Sequence, residues 1–133
     1  MLENKVVSMN AAKKKILIVE DEEMLSEMYR EVFEKEGFDV ITAGNAQEAV
    51  ESAQAKKPDF VLLDILLPGD NGIHFLEQRK EQSSLASIPV IAFSNFDNPQ
   101  TKKDAFRLGI RDYLIKTNYT PQEVVTKVKK YLK

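Results

Sequence analysis

At 133 residues and 43% hydrophobic content, the chain has the size of one globular domain and enough apolar residues for a real core. It contains no cysteine, which excludes disulfides and thiolate metal sites and points to a reducing, cytoplasmic setting. A net charge of −2 argues against the uniformly basic surface of a nucleic-acid binder, and no apolar run approaches the roughly 20 residues that cross a bilayer. The charge is unevenly spread: residues 1–66 hold 14 acids against 8 bases, and residues 67–133 hold 7 against 11.

Residues 1–13 precede any periodic segment and are expected to form a mobile arm ahead of a single domain over 14–133. KILIV at 15–19 is a short β-branched and apolar run suited to a strand buried on both faces. Met24, Leu25, Met28, Val32 and Phe33 then recur at helical spacing, with Gly37 as the C-terminal cap. FDVIT at 38–42 reads as a second strand. Asn45 and Glu48 resemble a capping box opening a helix that carries Ala46, Ala49, Val50 and Ala53 and stops before Pro58. DFVLLDILL is the most apolar stretch and should be the central strand, ending near Asp64, followed by a turn at PGDNG, 68–72, which Asp70 and Asn71 shape.

Ile73, Phe75 and Leu76 begin a third helix. The single histidine, His74, falls at its start and reads as a surface residue. IPVIAF at 88–93 is a fourth strand; Asn98 and Pro99 cap a fourth helix that ends near Gly109. RDYLI at 111–115 is a fifth strand. Thr120, Pro121 and Glu123 start a last helix that turns Val124, Val125, Val128, Tyr131 and Leu132 inward. Five strands alternating with five helices predict an α/β fold: a doubly wound, flavodoxin-like parallel sheet of order 2-1-3-4-5, with its site beyond the carboxyl ends of the strands.

Those ends carry the chemistry. Strand 1 delivers Glu20 and Asp21, strand 3 Asp64, strand 4 Ser94 and strand 5 Lys116. Two like charges about 4 Å apart repel by roughly 4 kcal/mol at an effective dielectric near 20, so the carboxylates call for a cation. Hard oxygen donors without cysteine favour Mg²⁺, with Mn²⁺ as the alternative. Lys116 and the Ser94 hydroxyl are then donors for the oxygens of a phosphoryl group. Glu22 and Glu23 read instead as first-turn acids that complement the helix dipole.

The acidic pair Glu20–Asp21, Asp64 followed by Pro68 and Gly72, Ser94, and Tyr113 three residues before Lys116 together resemble the receiver domain of two-component response regulators, from about residue 14 to the end. The resemblance implies that Asp64 accepts a phosphoryl group from a sensor histidine kinase, a phosphotransfer protein or a small phosphodonor. It implies that Asp21, Glu20 through a water, Asp64 and the Leu66 backbone carbonyl hold Mg²⁺, and that Lys116 and Ser94 contact the phosphoryl oxygens. It further implies a switch in which Ser94 and Tyr113 move and reshape the fourth helix, fifth strand and fifth helix, with a phosphorylation-dependent homodimer among the outcomes. Such a domain is not an enzyme but a signalling unit that promotes its own phosphorylation and dephosphorylation.

Two residues depart from the family's usual pattern. Thr117 stands where a proline, often cis, follows the lysine, and Asn95 stands where a small residue follows the hydroxyl. A cis bond to a non-proline residue costs roughly 2.5–4 kcal/mol, which leaves cis and trans both open at 116–117, a trans peptide placing Lys116 somewhat differently. Asn95 is expected to restrict access to Asp64 or to orient water, and Phe96 lies where the family tunes hydrolysis. Among rivals, a flavodoxin-like cofactor protein would need a hydroxyl- and glycine-rich phosphate loop where this chain has EDEE, and an aspartate-nucleophile phosphatase would need its nucleophile after strand 1 with another aspartate two residues on, a spacing that EDEE does not supply. A non-phosphorylated pseudo-receiver acting as an interaction module is the remaining alternative.

Overall fold

The computed structural model describes residues 13–69 and 71–132. The expected arm, save Lys13, and the role given to Asp70 lie outside the described residues. Five strands, β1 (Lys15–Val19), β2 (Asp39–Ala43), β3 (Phe60–Leu63), β4 (Val90–Ser94) and β5 (Asp112–Ile115), alternate with five helices. These are α1 (Glu23–Lys35), α2 (Ala46–Lys56), α3 (Gly72–Glu81), α4 (Pro99–Arg107) and α5 (Pro121–Leu132), and a 3-10 turn at Lys116–Asn118 links β5 to α5. All strand pairs are parallel, in the order β2-β1-β3-β4-β5.

The period-two alternation of each strand divides the core. Leu17, Val19, Val61, Leu63, Val90 and Ala92 face one side, where they pack with Ala46, Ala49 and Ala53 of α2, Phe75 and Leu76 of α3, and Ala105 of α4. Ile16, Ile18, Phe60, Leu62, Ile91 and Leu114 face the other, against Tyr29 and Phe33 of α1 and Val124, Val125 and Val128 of α5. Strands buried on both faces explain why β1 and β3 read as unbroken apolar runs rather than alternating ones.

Local signals account for the helix ends. Asn45 accepts from the Glu48 N–H at 2.9 Å, but Glu48 reaches back to the Gly44 N–H at 2.8 Å rather than to Asn45 itself. Thr120 and Glu123 do form the reciprocal box, at 2.8 and 3.2 Å. Asn98 and Asn71 each accept from the first-turn amides of their helices. Gly37 follows the end of α1 at φ +91°, a conformation that glycine adopts without strain.

The inward face of α1 keeps the expected Leu25, Val32 and Phe33 and differs at the two methionines. Met24 is 88% exposed and Met28 sits at the surface, whereas Tyr29 and Phe33 are buried with Leu25 and Val32 packed beside them. Spacing alone allows either stripe; the amphipathic tyrosine, whose ring stacks edge-on against Phe93 at 5.3 Å, takes the position that the methionine was expected to fill.

Candidate functional site

Register brings the strand-end residues together. Val19 pairs with Leu63, so the next residues, Glu20 and Asp64, emerge side by side, and the Asp64 N–H continues the ladder to the Val19 carbonyl at 3.0 Å. Leu63 pairs with Ala92, and Ser94 with Ile115, which sets Ser94 beside the residue that precedes Lys116. One carboxylate oxygen each from Glu20, Asp21 and Asp64 lies within 4.8 Å of the others. Glu20 and Asp64 are each 6% exposed, while Asp21 is open to solvent.

The Lys116 ammonium bridges the two buried acids, 2.6 Å from Glu20 Oε1 and 2.8 Å from Asp64 Oδ2, over the ring of Phe93. The second oxygen of each acid is also engaged. Glu20 Oε2 accepts from the Glu22 N–H at 3.1 Å, and Asp64 Oδ1 accepts from the Leu66 N–H at 3.1 Å. Burial pushes the Glu20 carboxyl above the usual range, although the Lys116 hydrogen bond opposes it. Burial alone would lower Lys116, but its hydrogen bonds to Asp64 and Glu20 outweigh that and raise it. Glu22 is the N-cap residue of α1 and Glu23 lies in its first turn; neither belongs to the three-carboxylate group.

The loop after β3 is shaped by a close approach. A Cβ at Gly72 would lie 2.7 Å from the Asp64 carbonyl oxygen and 2.9 Å from Ile65 Cα, and the Gly72 N–H donates to Ile65 at 2.8 Å. Only glycine lets α3 start so close under the strand that carries Asp64, while Gly69 takes φ +73° in the turn between them. Leu66, on this loop, is half exposed.

Ser94 is 1% exposed, and its Oγ accepts from the Phe96 N–H at 3.2 Å. The Tyr113 hydroxyl donates a short bond to the Phe96 carbonyl. Burial raises the Tyr113 phenol, partly offset by its hydrogen bond with Ser94. The Lys116–Thr117 peptide is trans, which decides between the two isomers left open by the sequence, and the Thr117 N–H donates to Asn95 Oδ1 at 3.2 Å. Sequence reasoning had missed this last contact and the Phe93 ring under Lys116; the pairing of β4 with β5 is the signal from which both follow.

A model of the response regulator receiver domain matches residues 16–129. The chain belongs to the response regulator receiver family. The receiver is 36% identical over 120 residues to the alkaline phosphatase synthesis transcriptional regulatory protein PhoP of Bacillus subtilis, a match that covers 90% of the receiver and 49% of PhoP. It is 32% identical to the polar-differentiation response regulator DivK of Brucella anthropi, covering 90% and 96% of the two chains. The receiver thus spans about half the length of the transcriptional regulator and nearly all of DivK. Among solved structures, the beryllofluoride-activated receiver domain of RstA from Klebsiella pneumoniae superimposes with a TM-score of 0.81 at 27% identity, over 90% of this receiver and 99% of that one. Among the described residues, no helix is long and apolar enough to cross a membrane.

Proposed function

We propose that this receiver, as a unit over 14–133, accepts a phosphoryl group on Asp64 from a phosphohistidine of a sensor histidine kinase or phosphotransfer protein, or from a small phosphodonor. The observation that carries the reading is the meeting of Asp64 with two further carboxylates and Lys116 at one end of the sheet. The Leu66 N–H and the Lys116 ammonium each hold one oxygen of the Asp64 carboxylate, which fixes the plane of the nucleophile. An Asp64 oxygen attacks phosphorus; the new O–P bond forms as the P–N bond to imidazole breaks, and the leaving imidazole takes a proton. Lys116 and the Ser94 hydroxyl then have phosphoryl oxygens to bind in place of their present partners.

The donor set suits a hard divalent cation. Glu20, Asp21 and Asp64 offer only oxygens, with the Leu66 carbonyl on the same loop, and together they would hold Mg²⁺ or Mn²⁺. When bound, such an ion supplies charge neutralisation between the carboxylates and the incoming phosphoryl group. Phosphorylation would draw Ser94 toward Asp64 and free the loop that Tyr113 grips, so that α4, β5 and α5 form the output face for a partner or a second copy. This is a signalling domain rather than an enzyme, working in the cytoplasm.

The test is incubation with Mg²⁺ and acetyl phosphate or phosphoramidate, followed by intact mass. A phosphoryl-mass adduct on wild type that disappears in Asp64→Ala is expected; no adduct, or an undiminished one in the variant, overturns the reading. Asn95 and Thr117 favour a second reading, a pseudo-receiver that binds partners without phosphate, and absence of any adduct would support it.

A further inference from the structure

Two residues that depart from the family's usual pattern meet each other in space. Asn95 follows Ser94, and Thr117 follows Lys116; they are 22 residues apart, both exposed, and joined by the 3.2 Å bond from the Thr117 N–H to Asn95 Oδ1. A proline at 117 would have no N–H to give, and an alanine or glycine at 95 would have no side-chain oxygen to receive it. Each departure therefore supplies what the other needs. Exposure matters here: neither side chain is driven into this contact by burial, so the bond is a local choice of the two loops rather than a by-product of core packing.

Its position matters more. Ser94 and Lys116 are the two donors assigned to the phosphoryl oxygens, and each is the immediate neighbour of one end of the bond. The loop after β4 is thus held at three successive points, by Phe96 on Ser94, by Thr117 on Asn95 and by Tyr113 on Phe96. Only the middle one ties it to the turn that carries Lys116. We propose that Asn95 is a positioning residue that, through the Thr117 amide, fixes the spacing between the Ser94 hydroxyl and the Lys116 ammonium, so that the two donors engage a phosphoryl group as one unit. Threonine at 117 keeps the N–H that a proline would lack, and Asn95 Oδ1 receives it across the gap between the two loops. This inference rests on the phosphoacceptor reading above. It differs from the expectation that Asn95 screens Asp64 or orients water, because the amide oxygen is turned toward the backbone of the neighbouring loop.

The experiment is a double-mutant cycle read with beryllofluoride, a phosphoryl mimic, in the presence of Mg²⁺. The chain has no tryptophan, so binding is followed by fluorine NMR or calorimetry. Losing one hydrogen bond's worth of order should weaken affinity roughly three- to tenfold. Asn95→Ala and Thr117→Pro are each expected to show that loss, the double variant no more than the worse single one, and Thr117→Ala, which keeps the N–H, none. In the unliganded protein, exchange of the Thr117 amide should quicken several-fold in Asn95→Ala. Wild-type affinity in Asn95→Ala, additive losses in the double variant, or unchanged Thr117 exchange overturns the proposal alone. Wild-type protein that fails to bind beryllofluoride overturns the phosphoacceptor reading, and the proposal with it.

Discussion

Gly72→Ala sets two opposing effects against each other, and the structure decides the sign. Replacing a glycine that has an allowed φ stabilises a protein by roughly 0.4–1 kcal/mol, because the unfolded chain loses freedom. Against this, the new methyl would sit 2.7 Å from the Asp64 carbonyl oxygen and 2.9 Å from Ile65 Cα, and 3.2 Å from Ile65 Cδ1. The last of these is a side-chain tip that can swing aside. The first two are backbone, so relief requires moving the start of α3 away from the end of β3, and forced overpacking of this kind costs roughly 1–3 kcal/mol. The net expectation is a loss of about 1–2 kcal/mol, measured as a lower denaturant midpoint at unchanged slope. Because the displaced backbone is that of Asp64, Mg²⁺ affinity should fall in the same variant. A Gly72→Ala protein as stable as wild type would refute the close-approach argument. A destabilised one with full Mg²⁺ affinity would show that the strain is absorbed on the helix side alone.

Other outcomes follow from the same geometry. Glu22→Gln and Glu23→Gln should leave Mg²⁺ affinity nearly intact by calorimetry, whereas Asp21→Asn should largely abolish it. Without metal, burial holds the folded-state Glu20 carboxyl above its unfolded value, so its contribution to stability is full below the unfolded value near 4.5 and is lost as pH rises through the folded one. Denaturation without metal should therefore show a loss of stability across that window that Glu20→Gln removes and Mg²⁺ opposes. Arg79 is 6% exposed and spends its guanidinium on the Ile88 carbonyl at 2.7 and 2.9 Å and the Leu108 carbonyl at 3.4 Å. Arg79→Met should cost roughly 2–3 kcal/mol by chemical denaturation through stranded carbonyls, and Arg79→Lys should recover little of it, since an ammonium cannot span both loops as a planar fork does.

Much of this was legible in the chain because short-range signals agreed with one another. KILIV is bounded in the structure as its apolar run suggests, and asparagines 45 and 98 cap the helices they were read to open, whereas Asn71, read as a turn residue, caps a helix as well. The order of the strands then fixed which ends would meet, so Glu20, Asp21, Asp64 and Lys116 could be grouped before any distance was known. What failed was orientation within an element. The methionines of α1 fit the helical period as well as Tyr29 does, and only the tertiary partner, Phe93, chooses between them. Glu48 bonded Gly44 instead of Asn45 because side-chain reach, not residue spacing, selects among adjacent amides. The Asn95–Thr117 bond was invisible for a different reason: each residue taken alone looks like a lapse from the family pattern, and only the pairing of β4 with β5 reveals the two as partners.

The Lys116 bridge spans 96 residues of sequence to Glu20 and 52 to Asp64. Such contacts reward the chain only after every intervening loop has been closed. No stretch of the chain ending before β5 can build the site, and any opening that releases β5 dismantles it at once. On the phosphoacceptor reading proposed above, a copy whose β5 has not joined the sheet would therefore present Asp64 without the Lys116 contact that orients it.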